Sequence, residues 1–169
     1  MAPILSPNSF EFISGSASQT ARIGERLGEL IEAGDLICLE GELGAGKTCL
    51  AQGIGLGWGT NDAVTSPTFT LIHELTRLGD DDVLYHIDLY RIESDGEVQL
   101  LGLSDLLNGH AACMIEWSER ARGIVPDTCL HIELVALDET RRRLTFNAYD
   151  ERHLALLEEL KRVAFGVGE

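Results

Sequence analysis

Residues 41–48 match the phosphate-binding loop of nucleotide triphosphatases, G-x-x-x-x-G-K-[ST], at every fixed position. Glycines in such a loop adopt backbone conformations closed to residues with a Cβ, so that successive N–H groups can point at one anion. The lysine, here Lys47, reaches the β- and γ-phosphates, and the hydroxyl, here that of Thr48, reaches Mg²⁺. The motif therefore predicts a site for the phosphates of a nucleoside triphosphate.

The sequence on either side of the loop agrees with this interpretation. An apolar run of strand type, 35–40, precedes the loop, and a segment with Leu50 and Ile54 four residues apart follows it. In the order strand, loop, helix, the positive end of the helix dipole faces the phosphates. The backbone N–H of Cys49 can also reach a phosphate, whereas its thiol has no expected role.

Hydrophobic periodicity predicts the remaining elements. We expect strands over 10–13, 68–75, 83–90, 111–116, 129–137 and 142–149, of which the second and third form a hairpin and the last two an antiparallel pair. We expect helices from Ser18 or Thr20 to about 33, from the phosphate loop to about 55, and over 95–101, 103–107 and 151–163, with the glycine-rich stretch after 55 as a loop. The predicted fold is a single α/β domain over 1–169, a P-loop NTPase fold whose mixed, mostly parallel central sheet is flanked by helices, with residues 150–169 as a C-terminal helix and tail.

Composition and charge narrow the class of protein. The chain has 169 residues, 44% of them hydrophobic and 24% charged, which is usual for a soluble globular domain. It has no apolar run of the roughly 20 residues that a membrane-spanning helix needs and no signal-peptide pattern at its start, so we expect a cytoplasmic protein. The net charge of −15 argues against direct binding to nucleic acid, because Lys and Arg carry that binding.

A phosphate loop needs a carboxylate at the end of a neighbouring strand to hold Mg²⁺ or to orient a water molecule. Two residues meet this requirement: Asp88 follows the apolar run 83–87, and Glu116 follows the run 111–115. A carboxylate placed there is costly to bury unless it is used or paired. Position alone leaves open which of the two takes which role.

Other polar residues lie near these points in the sequence. The segment 65–68, Thr-Ser-Pro-Thr, follows the helix after the loop and has hydroxyls suited to a switch that senses the γ-phosphate. His86 lies two residues before Asp88 and thus on the same face of the strand, although a core or surface histidine is the more common case. Arg91 is suited either to contact a phosphate or to pair with an acid. Trp117 is expected to be buried, with a partner contact as the alternative.

Taken together, these segments resemble the bacterial TsaE (YjeE) family, the ATPase of tRNA threonylcarbamoyladenosine biosynthesis. The loop 41–48 is generic to phosphate-loop enzymes, whereas 65–71, 86–91 and 115–117, in this order and in so short a chain, are specific to the family. The resemblance covers about residues 10–137. The chain departs from the family pattern at Glu42, where Asp is frequent, and at Cys49, where Thr is frequent.

The resemblance implies roles for particular residues. ATP would be bound by the loop residues Leu43, Gly44, Ala45, Gly46, Lys47, Thr48 and Cys49. Thr48 and Glu116 would serve Mg²⁺, Asp88 would be required for hydrolysis together with Lys47, and residues 65–70 would form a switch. The implied partners are TsaB and TsaD, and TsaD holds the tRNA-modifying site. The chain would then reach tRNA only indirectly, through the complex, and would not contact a membrane.

Two other functions use the same loop. A free-standing small-molecule kinase needs an acceptor pocket and usually a basic lid over the phosphates. The 13 Lys and Arg residues are spread along the chain, and no Arg cluster indicates a lid. A nucleotide-gated adaptor without catalytic activity is the third possibility. Release of phosphate from ATP, measured alone, with metabolites and with the partner proteins, distinguishes the three.

Overall fold

A seven-stranded sheet runs through the described residues, 7–65 and 71–166, of a computed structural model of the protein. The strands are β1 (Ser9–Ser14), β2 (Leu36–Glu40), β3 (Ile72–Thr76), β4 (Val83–Asp88), β5 (Ala112–Glu116), β6 (Leu130–Ala136) and β7 (Arg142–Ala148). The helices are α1 (Ala17–Gly28), α2 (Lys47–Trp58), α3 (Asp95–Leu100), α4 (Leu103–Leu106) and α5 (Glu151–Phe165), with a 3-10 turn at Ser118–Ala121.

The strands lie in the order β1-β7-β6-β2-β5-β4-β3. The four strands β6, β2, β5 and β4 are parallel to one another, and antiparallel strands extend the sheet on both sides. The predicted hairpin is confirmed as β3–β4, and the predicted C-terminal pair as β6–β7. The predicted α/β fold with a mixed sheet flanked by helices is confirmed.

The central strand β2 is buried on both faces, which explains why its sequence is apolar throughout rather than alternating. Ile37 and Leu39 pack into the core beneath α1, α2 and α5. Leu36 and Cys38 pack into a second core on the opposite face, beneath α3 and α4. The phosphate loop joins the end of this doubly covered strand to α2.

Helix α1 is shorter than the sequence pattern predicts. Its N-cap is Ser16, whose hydroxyl accepts from the backbone N–H of Gln19 at 3.2 Å, rather than Ser18 or Thr20. The helix ends at Gly28 rather than near Ala33, because the chain turns around Asp35. The Asp35 carboxylate accepts from the backbone N–H of Glu32 at 2.8 Å, which competes with continuation of the helix.

The predicted loop after about Gly55 is wrong, since α2 continues to Trp58 and ends only at Gly59, which has a left-handed conformation. The glycines allow α1 and α2 to pack backbone against backbone. A Cβ added at Gly57 would lie 1.9 Å from the carbonyl oxygen of Glu25, and one added at Gly53 would lie 2.1 Å from that of Ala21. Glycine is poor in helix interiors, so the pattern indicated a loop; close helix packing outweighs that propensity here.

No helix within the described ranges combines the length and the apolar character needed to cross a lipid bilayer.

Gly57→Ala should destabilise the protein by about 1–3 kcal/mol, because the added methyl group has no space between the two helices. The midpoint of urea or thermal unfolding measures the change. Gly96→Ala is the matched control: it lies in α3, and a Cβ there would meet nothing closer than the Ser94 hydroxyl at 3.8 Å. Equal stability of the two variants would show that α1 and α2 do not pack as described.

Candidate nucleotide-binding site

The loop 41–48 has the backbone conformation of an anion cradle. Gly44 and Gly46 have positive φ angles, 80° and 105°, in the region that favours glycine. Gly46 is also the N-cap of α2 and makes no side-chain cap, which leaves the first N–H groups of the helix without an internal acceptor. These N–H groups and the helix dipole together favour a bound phosphate.

Lys47 is held against its own loop. Its ammonium group donates to the backbone carbonyl oxygens of Gly41 at 2.5 Å and Glu42 at 2.8 Å. It also lies 4.2 Å from the centre of the Trp117 ring, a cation–π contact. Burial lowers the pKa of Lys47, and the nearby Glu116 and Glu119 carboxylates oppose that shift. Among the described residues, the direct partners of this ammonium group are thus neutral: two carbonyls and an aromatic ring.

The parallel register places the two predicted carboxylates side by side. Asp88, the last residue of β4, pairs with Glu116, the last residue of β5, and Glu116 also pairs with Leu39 beside the loop. Both are buried, with 7% and 2% of their surface exposed. The Thr48 hydroxyl donates to Glu116 Oε1 at 3.2 Å, whereas Asp88 Oδ1 accepts from the backbone N–H of Tyr90 at 2.9 Å. The carboxylates therefore differ: Glu116 touches the loop hydroxyl, and Asp88 does not.

His86 is part of this cluster, a contact that the sequence did not predict. Its ring Nε2 lies 2.6 Å from Glu116 Oε2, and its side chain is fully buried. Its other ring nitrogen, Nδ1, is buried and has no hydrogen-bond partner among the described residues, so Nε2 carries a proton and donates to the carboxylate. The only signal in the sequence was the two-residue spacing to Asp88, which puts both side chains on one face of β4.

Trp117 is half-buried and completes one wall of the site. Trp117 has a positive φ angle of 60°, and among the described residues no other residue except glycine has one. The backbone N–H of Trp117 donates to the carbonyl oxygen of Leu39 at 3.0 Å. The indole ring packs on the ring of Tyr90, with 5.1 Å between the ring centres. The turn of the backbone directly after Glu116 brings the indole over Lys47. Backbone strain of this kind is concentrated at functional sites.

The cluster surrounds a cleft of about 240 Å³. Its described lining residues are Leu43, Gly44, Gly46, Lys47, Thr48, Cys49, Asp88, Tyr90, Glu116 and Trp117. A larger cavity of about 730 Å³ lies between Cys38, Arg122 and Tyr149. That cavity has no loop of backbone amides and no pair of strand-end carboxylates, so we assign the candidate site to the smaller cleft.

The oxygen ligands in the cleft fit Mg²⁺ better than a metal that needs a full protein cage. Within 7–65 and 71–166, no group of three or more His, Cys, Asp or Glu side chains is placed to hold a metal ion. Mg²⁺ is usually bound by one or two protein oxygens together with substrate phosphates and water. Thr48 and Glu116 provide two such oxygens, 3.2 Å apart.

Three other residues that the sequence singled out, Thr65, Arg91 and Cys49, have side chains that do not join the cluster of Lys47, Thr48 and Glu116. Residues 66–70 of the predicted switch lie outside the described residues, and Thr65 is exposed at the end of the preceding segment. Arg91 is exposed just beyond β4. The Cys49 thiol donates to the carbonyl of Ala17 at 3.3 Å, which directs it towards α1.

Comparison with known proteins identifies the family. The model of the family described as "Threonylcarbamoyl adenosine biosynthesis protein TsaE" matches residues 14–144, more than half of the chain. The chain belongs to the TsaE family. Its members act in tRNA threonylcarbamoyladenosine biosynthesis, and the phosphate-loop fold of the chain together with its membership implies nucleotide binding.

Individual members of the family align with this chain over most of their own length. The tRNA threonylcarbamoyladenosine biosynthesis protein TsaE of Treponema pallidum is 40% identical over 134 residues, covering 79% of this chain and 96% of its own. The TsaE protein of Bacillus subtilis is 37% identical over 146 residues, covering 85% and 89%. The crystal structure of YdiB from Bacillus subtilis superimposes with a TM-score of 0.76 at 29% identity, over 92% of this chain and 96% of that one.

His86 and Glu116 should be energetically coupled. In a double-mutant cycle with His86→Ala and Glu116→Ala, we expect a coupling free energy of about 1–3 kcal/mol, because either single variant leaves a buried polar group without its partner. Urea unfolding without nucleotide measures it. The matched control is His131 with Glu40, a pair 2.9 Å apart but partly exposed, which should couple by less than about 1 kcal/mol. Additive effects at His86 and Glu116 would contradict the described contact.

Proposed function

We propose that this TsaE family member binds ATP with Mg²⁺ and hydrolyses it to support threonylcarbamoyl modification of tRNA adenosine, together with TsaB and TsaD. We further propose that it acts as a single domain, in the cytoplasm. The observation that supports the proposal most is the direct contact between Thr48 of the phosphate loop and the buried Glu116, with Asp88 in register beside it. Such a preassembled set of groups is what phosphoryl transfer to water requires.

Each group in the cleft has a role in this proposal. The backbone N–H groups of 43–49 hold the phosphates, and Lys47 moves from its own loop carbonyls to the β- and γ-phosphates. Thr48 and Glu116 would hold Mg²⁺, which neutralises charge on the phosphates when bound. Asp88 orients the attacking water and accepts its proton.

His86 supports this assignment of roles. A hydrogen bond to Oε2 fixes the rotamer of Glu116 and leaves Oε1 turned towards Thr48. The Asp88 carboxylate accepts instead from the backbone N–H of Tyr90 at 2.9 Å.

The kinase alternative has less support. Among the described residues that line the cleft, Lys47 alone is basic. A kinase usually covers the transferred phosphate with further basic side chains from a lid. A hydrolase with few basic side chains of its own can be stimulated by a partner protein, because the partner can supply a basic side chain to the transition state.

Substitutions in the cleft should separate the proposed roles. Lys47→Ala should lower ATP turnover by at least about tenfold, roughly 1.4 kcal/mol in the barrier. Glu116→Gln should raise the Mg²⁺ concentration that gives half-maximal turnover, since one anionic ligand is lost. Asp88→Asn should lower turnover while nucleotide affinity stays close to that of the wild type. Steady-state phosphate release over a range of Mg²⁺ concentrations measures all three.

Glu74→Gln is a control for the carboxylate variants, because Glu74 is exposed on β3 and should be neutral in these assays. A Lys47→Ala protein that folds and turns over ATP at the wild-type rate would overturn the assignment of the loop. If Asp88→Asn changed the Mg²⁺ requirement and Glu116→Gln did not, the roles of the two carboxylates would be reversed.

The protein should reach tRNA only through its partners. With a net charge of −15, it has little capacity to release counterions from an RNA backbone. Its own affinity for tRNA at physiological salt should be weaker than the roughly 10⁻⁴–10⁻⁶ M of non-specific nucleic-acid binders. ATP turnover should rise when TsaB and TsaD are added, and the rate of association with them should fall as salt is increased.

A tRNA titration of the isolated protein, run beside an ATPase assay with and without TsaB and TsaD, tests this expectation. Bovine serum albumin at equal concentration controls for non-specific effects of added protein. Tight, salt-sensitive binding of tRNA by the isolated protein, with turnover unaffected by the partners, would contradict it.

A further inference from the structure

Arg142, the first residue of β7, lies against the outer side of the phosphate loop. Its Nη2 donates to the carbonyl oxygen of Gly44 at 3.4 Å, and a Cβ built on Gly46 would lie 3.9 Å from its Nε. Its Nη1 donates to the carbonyl oxygens of Asp138 at 2.8 Å and Arg141 at 3.0 Å. Backbone carbonyls of two segments thus fix the guanidinium group beside the loop.

Residues 141–143 are all arginine, and Arg142 is the one that faces the loop. The reason is that successive side chains of a strand such as β7 point to opposite faces of the sheet. Leu144 and Phe146 are buried in the core beneath α1, α2 and α5, so Arg142 projects from that same face of the sheet. Arg143 projects from the opposite face, where it pairs in register with Ile13 and Val135. The neighbouring residue therefore has the same charge but cannot reach the loop.

The order of the strands gives the loop two distinct sides. Glu116 and Asp88 come from β5 and β4 on one side of β2, and with Thr48 they mark the end of the site that takes the terminal phosphates. Arg142 comes from β7, on the other side of β2. A triphosphate whose terminal phosphates lie at the carboxylates must therefore direct its nucleoside towards β6 and β7.

The contact with Gly44 indicates that Arg142 would interact with the base of a bound nucleotide rather than with its phosphates. Arg142 donates to a carbonyl of the loop, whereas phosphates bind on the side where the N–H groups point. Three of its five N–H groups already donate to backbone carbonyls, which occupy the edge of the guanidinium group, and the residue is only partly buried. Planar guanidinium groups stack on nucleobases, which an ammonium group cannot do.

We propose that the guanidinium group of Arg142 stacks on the base of the bound nucleotide and is the part of this chain that fixes its nucleoside end. The inference rests on the proposed function, since it assumes that the loop binds ATP. It predicts that affinity for the base, and not for the phosphates, depends on Arg142.

Calorimetric titration of Mg-ATP and of Mg-tripolyphosphate into the full chain tests the inference. Arg142→Ala should weaken ATP binding by about tenfold, in the range measured for loss of one stacking contact, and should leave tripolyphosphate binding unchanged. Arg142→Lys keeps the charge but not the planar face, so it should show the same loss. Arg143→Ala removes an equal charge from the opposite face and should bind both ligands as the wild type does.

The outcomes are distinct. Equal ATP affinity of Arg142→Ala and Arg143→Ala would overturn the inference, as would full rescue by Arg142→Lys or a parallel loss of tripolyphosphate binding. If the wild-type protein binds tripolyphosphate but ATP no more tightly, the base contact fails and the phosphate site remains. If it binds neither ligand, the proposed function fails and the inference with it. Thermal unfolding of each variant confirms that β6 and β7 are intact.

Discussion

The site depends on the register of three parallel strands. Strand β2 delivers the chain into the phosphate loop, and its pairing with β5 sets Glu116 opposite Leu39, within reach of the Thr48 hydroxyl. The pairing of β5 with β4 then sets Asp88 beside Glu116. A shift of one residue in either pairing would turn the carboxylate to the other face of the sheet, and the loop would lose its acidic partner.

Buried carboxylates beside one another are unfavourable, and the surrounding groups make the arrangement possible. Glu116 has a fully buried histidine on one oxygen and a hydroxyl on the other. The ammonium group of Lys47 lies near enough to interact with both carboxylates: Glu116 and Asp88 each oppose the fall in the pKa of Lys47 that burial causes. The close packing of α1 on α2 through Gly53 and Gly57 holds the start of α2, and hence Thr48, in place. Stability and function therefore depend on many of the same contacts.

Much of this could be predicted from the sequence, because the decisive signals are local. The loop motif, the strand-end positions of Asp88 and Glu116, and the apolar periodicities lie within short segments. They predicted the fold correctly, and they predicted that the two acids end neighbouring strands. The role of the helix glycines could not be predicted in this way, because it comes from the approach of a second helix. The contact between His86 and Glu116 joins two strands, and the position of Arg142 depends on strand order, so neither is visible in one segment.

A crystal structure with Mg²⁺ and a non-hydrolysable ATP analogue tests the central claim most directly. The account predicts that Lys47 leaves the carbonyls of Gly41 and Glu42 for the phosphates, while Thr48 and Glu116 flank the metal and stay close to their present positions. Nucleotide bound away from the loop, or a metal held without Glu116, would contradict the account.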